Sequence, residues 1–317
     1  MSTLAVRTVH DSPSRHARVL RSLLRSAVRP TLRHVPVNRW SVFVAGTLDG
    51  AARLQRRPQG VVSEIVVLPG FDAELVQLPN ENRRLSDGVI LYFHGGAFLM
   101  GGLNTHRPVV AALARRAGVP ILNVAYRKLP GTTIEGSVQD CLVAYKWLLS
   151  NGADPATVIF AGDSAGGLLV FATAIEARDR KMPVPAGLIG FSPWLDLDCG
   201  AKLAHPSRTT DAYLPVRLLD AVTEKGALGV PNPVDCDLAG LPPVLLIASD
   251  AEVLRVDSEL MSARLAEAGV PCAFHLWKDQ VHAFTTLSVS MPESRAAIDE
   301  AATFVNSTIN NRRRTAV

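Results

Sequence analysis

Beyond Gly60 the chain alternates short apolar runs with stretches of helical periodicity, and this alternation narrows the candidate folds more than any other feature. The runs occupy residues 61–67, 75–78, 89–93, 121–124, 158–161, 187–191, 244–248 and 272–277. Short continuous apolar runs suit strands buried on both faces, and helical segments between them suit crossover connections. The pattern therefore predicts an α/β fold with a mostly parallel sheet flanked by helices. One crossover helix is expected over residues 134–149, where Val138, Cys141, Leu142, Tyr145, Leu148 and Leu149 share a stripe and Gly152 marks the end. A chain of 317 residues, 48% of them hydrophobic, can fill one large core with appendages.

Two segments depart from the alternation. Between residues 198 and 240, Pro206, Pro215, Pro231 and Pro233 interrupt the pattern, and only 214–227 looks helical. A connection of this length between two strands is expected to be functional or separately folded. It reads as part of a cap over the strand ends, completed by the N-terminus. The expected division is 1–55 as the N-terminal part of the cap, 56–198 as core, 199–240 as cap insertion and 241–317 as core. Near the N-terminus, Val19, Leu20, Leu23, Leu24, Ala27, Val28 and Leu32 recur at helical spacing, with arginines on much of the opposite face. Two readings of this basic amphipathic helix stay open: a membrane-surface or lid element, and a surface helix packed on the domain with its arginines in water.

The formal net charge is only +4, and much of the positive surplus sits at the two ends of the chain, which speaks against a nucleic-acid footprint across a folded domain. Cys141, Cys199, Cys236 and Cys272 form no CxxC pair and no local arrangement with histidine, so they read as reduced, mostly buried thiols, and no metal is expected. No window reaches the roughly 18 apolar residues of a membrane span, and the first thirty residues lack the core of a signal peptide. A soluble, cytoplasmic protein is the expectation; oligomeric state leaves no trace in the sequence.

Chemistry concentrates in three places. Gly162-Asp163-Ser164-Ala165-Gly166-Gly167 lies between an apolar run and the helical run 167–177. A serine hydroxyl is a poor nucleophile unless its backbone presents it to a base and the developing oxyanion is held. A sharp strand-to-helix turn does both, with glycines relieving the crowding and the Ala165 N–H at the positive end of a helix. His94-Gly95-Gly96-Ala97-Phe98 follows the run 89–93, where small residues let backbone N–H groups face a cavity as an oxyanion hole requires. His94 itself reads as a loop-bracing residue. In a parallel sheet both loops emerge at carboxyl strand ends and can face each other. Later, Ser249-Asp250-Ala251-Glu252-Val253-Leu254-Arg255 and Lys278-Asp279-Gln280-Val281-His282 each follow an apolar run. An acid and a histidine thus come after the serine in the order that this architecture requires, with His282 as candidate base and His275, inside its run, as a surface or packing residue.

With these segments together, the chain resembles the hormone-sensitive-lipase-like esterases, also called bacterial family IV or arylacetamide-deacetylase-like hydrolases. The likeness runs from about Val89 to Phe284 through His94-Gly95-Gly96, Tyr126-Arg127, the Ser164 turn, Ser192-Pro193-Trp194-Leu195-Asp196, Leu241-Pro242-Pro243 and His282-Ala283-Phe284. It implies an α/β-hydrolase fold with an eight-stranded core, a helical cap and cofactor-free hydrolysis of short or medium acyl esters. The sequence departs from the family in two places. Ala97 stands where the family has a third glycine, and aligning Leu254-Arg255 with the family's acid-bearing string puts Glu252, rather than Asp250, on the acid position. The resemblance implies Ser164 as nucleophile, His282 as base, Glu252 as acid with Asp250 as alternative, and Gly95, Gly96, Ala97 and Ala165 around the oxyanion. Asp163 is expected to brace nearby loops, and Phe98, Trp194 and residues near Leu214 to line a pocket. Amidase, lactonase or deacetylase chemistry would use the same residues, and a non-catalytic binding role would be marked by loss of the histidine, which is present.

Overall fold

Every apolar run named above forms a strand in the computed structural model, which describes residues 5–315 apart from 35, 37, 80–83, 228 and 229. The strands are β1 (Ala5–His10), β2 (Val62–Leu68), β3 (Phe71–Gln77), β4 (Val89–Phe93), β5 (Ile121–Val124), β6 (Val158–Asp163), β7 (Gly187–Phe191), β8 (Val244–Ser249) and β9 (Cys272–Trp277). They make one sheet in the order β1-β9-β8-β7-β6-β4-β5-β3-β2. All neighbours pair in parallel except β2 with β3 and β3 with β5. Strands β4, β6, β7 and β8 are buried at every position, which is why they carry continuous apolar runs and no alternation.

Helices are α1 (Arg15–Leu23), α2 (Arg29–His34), α3 (Arg39–Ala52), α4 (Leu103–Ala117), α5 (Ile134–Ser150), α6 (Ala165–Asp179), α7 (Gly200–Ala204), α8 (Ser207–Thr210), α9 (Val216–Gly226), α10 (Arg255–Glu267), α11 (Phe284–Leu287) and α12 (Pro292–Thr315). Two hydrophobic clusters cover the two sheet faces. One joins α5, α6 and α10 through Leu142, Leu168 and Met261; the other joins α4 and α12 through Leu113, Ile298 and Val305.

Two expectations need correction. The described sheet has nine strands instead of eight, and residues 5–10 belong to it and not to a cap. Edge strand β1 is held to β9 by its backbone ladder and by the His10 ring lying flat on Trp277, with Val6 and Val9 exposed, so it carries no apolar signature. The N-terminal amphipathic stretch is also not one uniform helix. A π-helical turn at Leu24–Val28 separates α1 from α2. Two of its arginines turn inward: Arg21 pairs with Asp279, and buried Arg29 donates to the carbonyls of Thr209 (3.0 Å) and Arg208 (2.9 Å).

Candidate active site

Strand β6 ends in Asp163, and the chain reverses at Ser164 into α6 with the serine held at φ 51°, ψ −118°. A non-glycine residue adopts this left-handed geometry only under constraint. The constraint is visible: the Ser164 N–H donates to the Phe191 carbonyl (3.0 Å), and the Ser164 carbonyl accepts from Trp194 (2.9 Å). Gly166 is needed at the turn because a side chain there would collide with the Phe93 carbonyl of β4. The turn aims the hydroxyl at the carboxyl ends of the strands.

His282 reaches the same point from the loop after β9. Its Nε2 stands 2.9 Å from Ser164 Oγ, and its Nδ1 stands 2.7 Å from Glu252 Oε2. Glu252 is fully buried beyond the end of β8, and its second oxygen accepts the Ser249 N–H at 2.8 Å. Both contacts of His282 are satisfied by the tautomer with hydrogen on Nδ1, which leaves Nε2 free to accept the serine proton. Burial works to lower the pKa of His282, but the hydrogen bond and charge of Glu252, helped by Asp211 and Asp163, raise it above its ordinary value. Asp250 does not reach the histidine: its Oδ1 accepts the Asp279 N–H at 2.7 Å and braces the loop that carries His282.

The loop after β4 lies across from Ser164. Gly96 has φ 118°, while Ala97 and Phe98 have φ 52° and 57°, so three successive residues sit in left-handed backbone. The N–H groups of Gly96, Ala97 and Ala165 have no acceptor among the described residues. Gly95 differs, because its N–H donates to Asp163 Oδ1 at 3.0 Å; it shapes the loop and is not a free donor. Asp163 also accepts from the Tyr92 hydroxyl (2.9 Å) and faces His106 Nε2 (3.3 Å). Burial pushes its carboxyl up, but His106, Tyr92 and His94 bring it below the usual range. Buried His94 stacks on Tyr126 and contacts the Gly95 carbonyl at 2.7 Å, and burial holds its pKa far below the ordinary value. His94 and Asp163 therefore brace the loop. Phe98 and Trp194 are fully buried against each other, so they back the site and do not line an open cavity.

Ser164 keeps 8% of its surface exposed and His282 4%, so both side chains are nearly enclosed. A cavity of about 320 Å³ between α5, α6 and residues 230–237, with Val138, Ala172 and Pro233 on its wall, is lined by neither of them. Sequence reasoning missed two residues of the 199–240 segment. Asp211, fully buried, accepts from the N–H groups of Tyr213 (2.9 Å), Leu214 (2.8 Å) and Val253 (2.8 Å), the last adjacent to Glu252. Tyr213 donates its hydroxyl to the His282 carbonyl at 3.0 Å. Neither belongs to a local motif, and only the fold brings them to the site.

A family described as the alpha/beta hydrolase fold matches residues 90–286. The chain belongs to this family. This α/β-hydrolase is 37% identical over 277 residues to the carboxylesterase/phospholipase LipF of Mycobacterium tuberculosis, covering 82% of this chain and 73% of LipF. It is 36% identical over 298 residues to the esterase LipU of the same organism, covering 88% of this chain and 98% of LipU. Among solved structures, an esterase from the bacterial hormone-sensitive lipase family superposes with a TM-score of 0.82 at 28% identity, covering 94% of this chain and 99% of that one. The resemblance read from the motifs and the family shown by comparison agree. Among the described residues, no helix is long and apolar enough to cross a membrane.

Proposed function

We propose that this α/β-hydrolase hydrolyses carboxylic esters of short to medium acyl length through an acyl-enzyme, with Ser164 as nucleophile, His282 as base and Glu252 as the acid that orients it. The observation that carries this reading is the unbroken hydrogen-bond chain from Ser164 Oγ through His282 to Glu252. Ser164 Oγ attacks the ester carbonyl while its proton passes to His282 Nε2. The Gly96, Ala97 and Ala165 N–H groups hold the oxyanion, which is where such donors contribute most. Collapse expels the alcohol with the proton from His282. A water molecule then gives its proton to His282 and attacks the acyl carbon, and the carboxylic acid leaves as Ser164 regains its hydrogen. Relatives named carboxylesterase and esterase support an ester as the substrate.

In this reading residues 199–240 and the helices before residue 55 cap the site. The low exposure of Ser164 supports a restricted acyl pocket. Four free cysteines, three of them buried, support an intracellular location. A panel of p-nitrophenyl esters of increasing acyl length tests the assignment. Acetyl to octanoyl esters are expected to turn over and palmitoyl esters to turn over poorly. Equal turnover of acetyl and palmitoyl esters without detergent contradicts the restricted pocket, and no turnover of any ester contradicts the function.

A further inference from the structure

A second group of ionisable side chains lies at the sheet edge where β1 joins β9, outside the candidate active site. Register sets Thr8 opposite His275 and His10 opposite Trp277. Side chains two apart in a strand share a face, so His10 and His275 are diagonal neighbours on one side of the sheet. Glu300 of α12 completes the group, and the donor atoms of the three half-buried residues all lie within 4.8 Å of one another. His10 Nε2 stands 3.2 Å from His275 Nδ1. The His10 ring is fixed by stacking on Trp277, with centroids 3.8 Å apart and planes 2° from parallel.

We propose that His10, His275 and Glu300 bind one divalent transition-metal cation of the zinc class, tying edge strand β1 to β9 and α12. Metal–nitrogen and metal–oxygen bonds of about 2.0–2.2 Å at tetrahedral angles place neighbouring donors roughly 3.3–3.5 Å apart. The two imidazole nitrogens already stand near that separation. The Glu300 side chain has the rotatable bonds to bring its carboxylate in, and water takes the fourth position. Two imidazoles and one carboxylate suit Zn²⁺, Co²⁺ or Ni²⁺, whereas Mg²⁺ and Ca²⁺ prefer all-oxygen shells. Burial lowers the pKa of His275, and burial with the neighbouring His275 lowers that of His10, while Glu300 pulls both upward. The net direction favours neutral imidazole, the form that binds metal. The 265-residue separation of the two histidines hides this donor set from any local motif search. The site also bears on the loop of His282, because β9 leads into it and the Lys278 N–H donates to the His10 carbonyl at 2.9 Å.

A hydrogen bond between two imidazoles gives the same spacing with no ion, so the experiment must separate the two accounts. Tag-free full-length protein, stripped with chelator, is titrated with ZnCl₂ by calorimetry and with CoCl₂ by visible absorption. One equivalent of zinc at micromolar or tighter affinity is expected, with tetrahedral cobalt bands and a higher melting temperature in zinc. His10→Gln, His275→Gln and Glu300→Gln, each checked for folding by circular dichroism, should weaken zinc by at least about 10–100-fold, the loss that outer-shell partners alone produce. If a histidine variant fails to fold, Glu300→Gln on the helix gives the same readout. Absence of micromolar binding overturns the proposal, and so does unchanged affinity in the folded variants.

Discussion

Asp250 and Glu252 stand two residues apart beyond the same strand end, and backbone direction separates their work. Glu252 meets His282 Nδ1 at 2.7 Å, while Asp250 meets the Asp279 N–H at 2.7 Å. Glu252→Gln is therefore expected to lower turnover by about 10⁴-fold, the scale seen when a triad acid loses its charge. Asp250→Asn retains an oxygen that can accept the same N–H and should cost far less. A large loss for Asp250→Asn with little for Glu252→Gln, at matched stability, contradicts the assignment. The contact of Glu252 with His282 also sets an expected pH dependence. A base must be neutral to act, and His282 has its pKa raised above the ordinary 6.5, so the acid limb of kcat/KM is expected above that value. In Glu252→Gln the raising influence of Glu252 is gone and burial remains, so the limb should move to lower pH. A limb that stays in place argues against Glu252 as the partner.

At the scale of elements, legibility followed burial. Strands β4, β6, β7 and β8 are buried on both faces and read directly as apolar runs, and the loops at their carboxyl ends then placed Ser164, the Gly96 loop and the acid candidates. Strand β3 was read only in part because Asp72 and Glu74 interrupt it; buried Glu74 is matched by Arg107 at 3.0 Å, a partner that no local pattern gives. Edge strand β1 was invisible because backbone pairing holds it and apolar burial does not. The preference for Glu252 over Asp250 rests on the resemblance, which sets Leu254-Arg255 against the family's acid-bearing string and so puts Glu252 on the acid position. Asp211 was silent because its partners come from its own turn and from Val253, 42 residues away. Asp211→Ala should leave the buried N–H groups of Leu214 and Val253 and the part-buried one of Tyr213 without this acceptor, at roughly 1–3 kcal/mol for each buried group that stays unsatisfied. Urea unfolding measures this, and a variant as stable as the parent would show that the segment is not anchored through Asp211.

For the whole molecule, two segments distant in sequence, the helices before residue 55 and residues 199–240, contact each other. Arg29 of α2 grips the carbonyls of Arg208 and Thr209, and Arg217 of α9 donates to the Leu32 carbonyl at 3.2 Å. If these segments together cap the site, Arg29→Ala should raise KM for butyryl and hexanoyl esters several-fold while acetyl-ester kcat changes little. Unchanged KM across the series would separate α2 from substrate binding. All of this rests on Ser164 forming a covalent intermediate, and reaction with a fluorophosphonate tests that most directly, because the adduct does not hydrolyse on the time scale of turnover. The account predicts one phosphonyl group per chain, on the peptide containing Ser164, with loss of esterase activity in step and no labelling of Ser164→Ala. Labelling at another residue, or ester turnover in Ser164→Ala above a tenth of the parent, would contradict it.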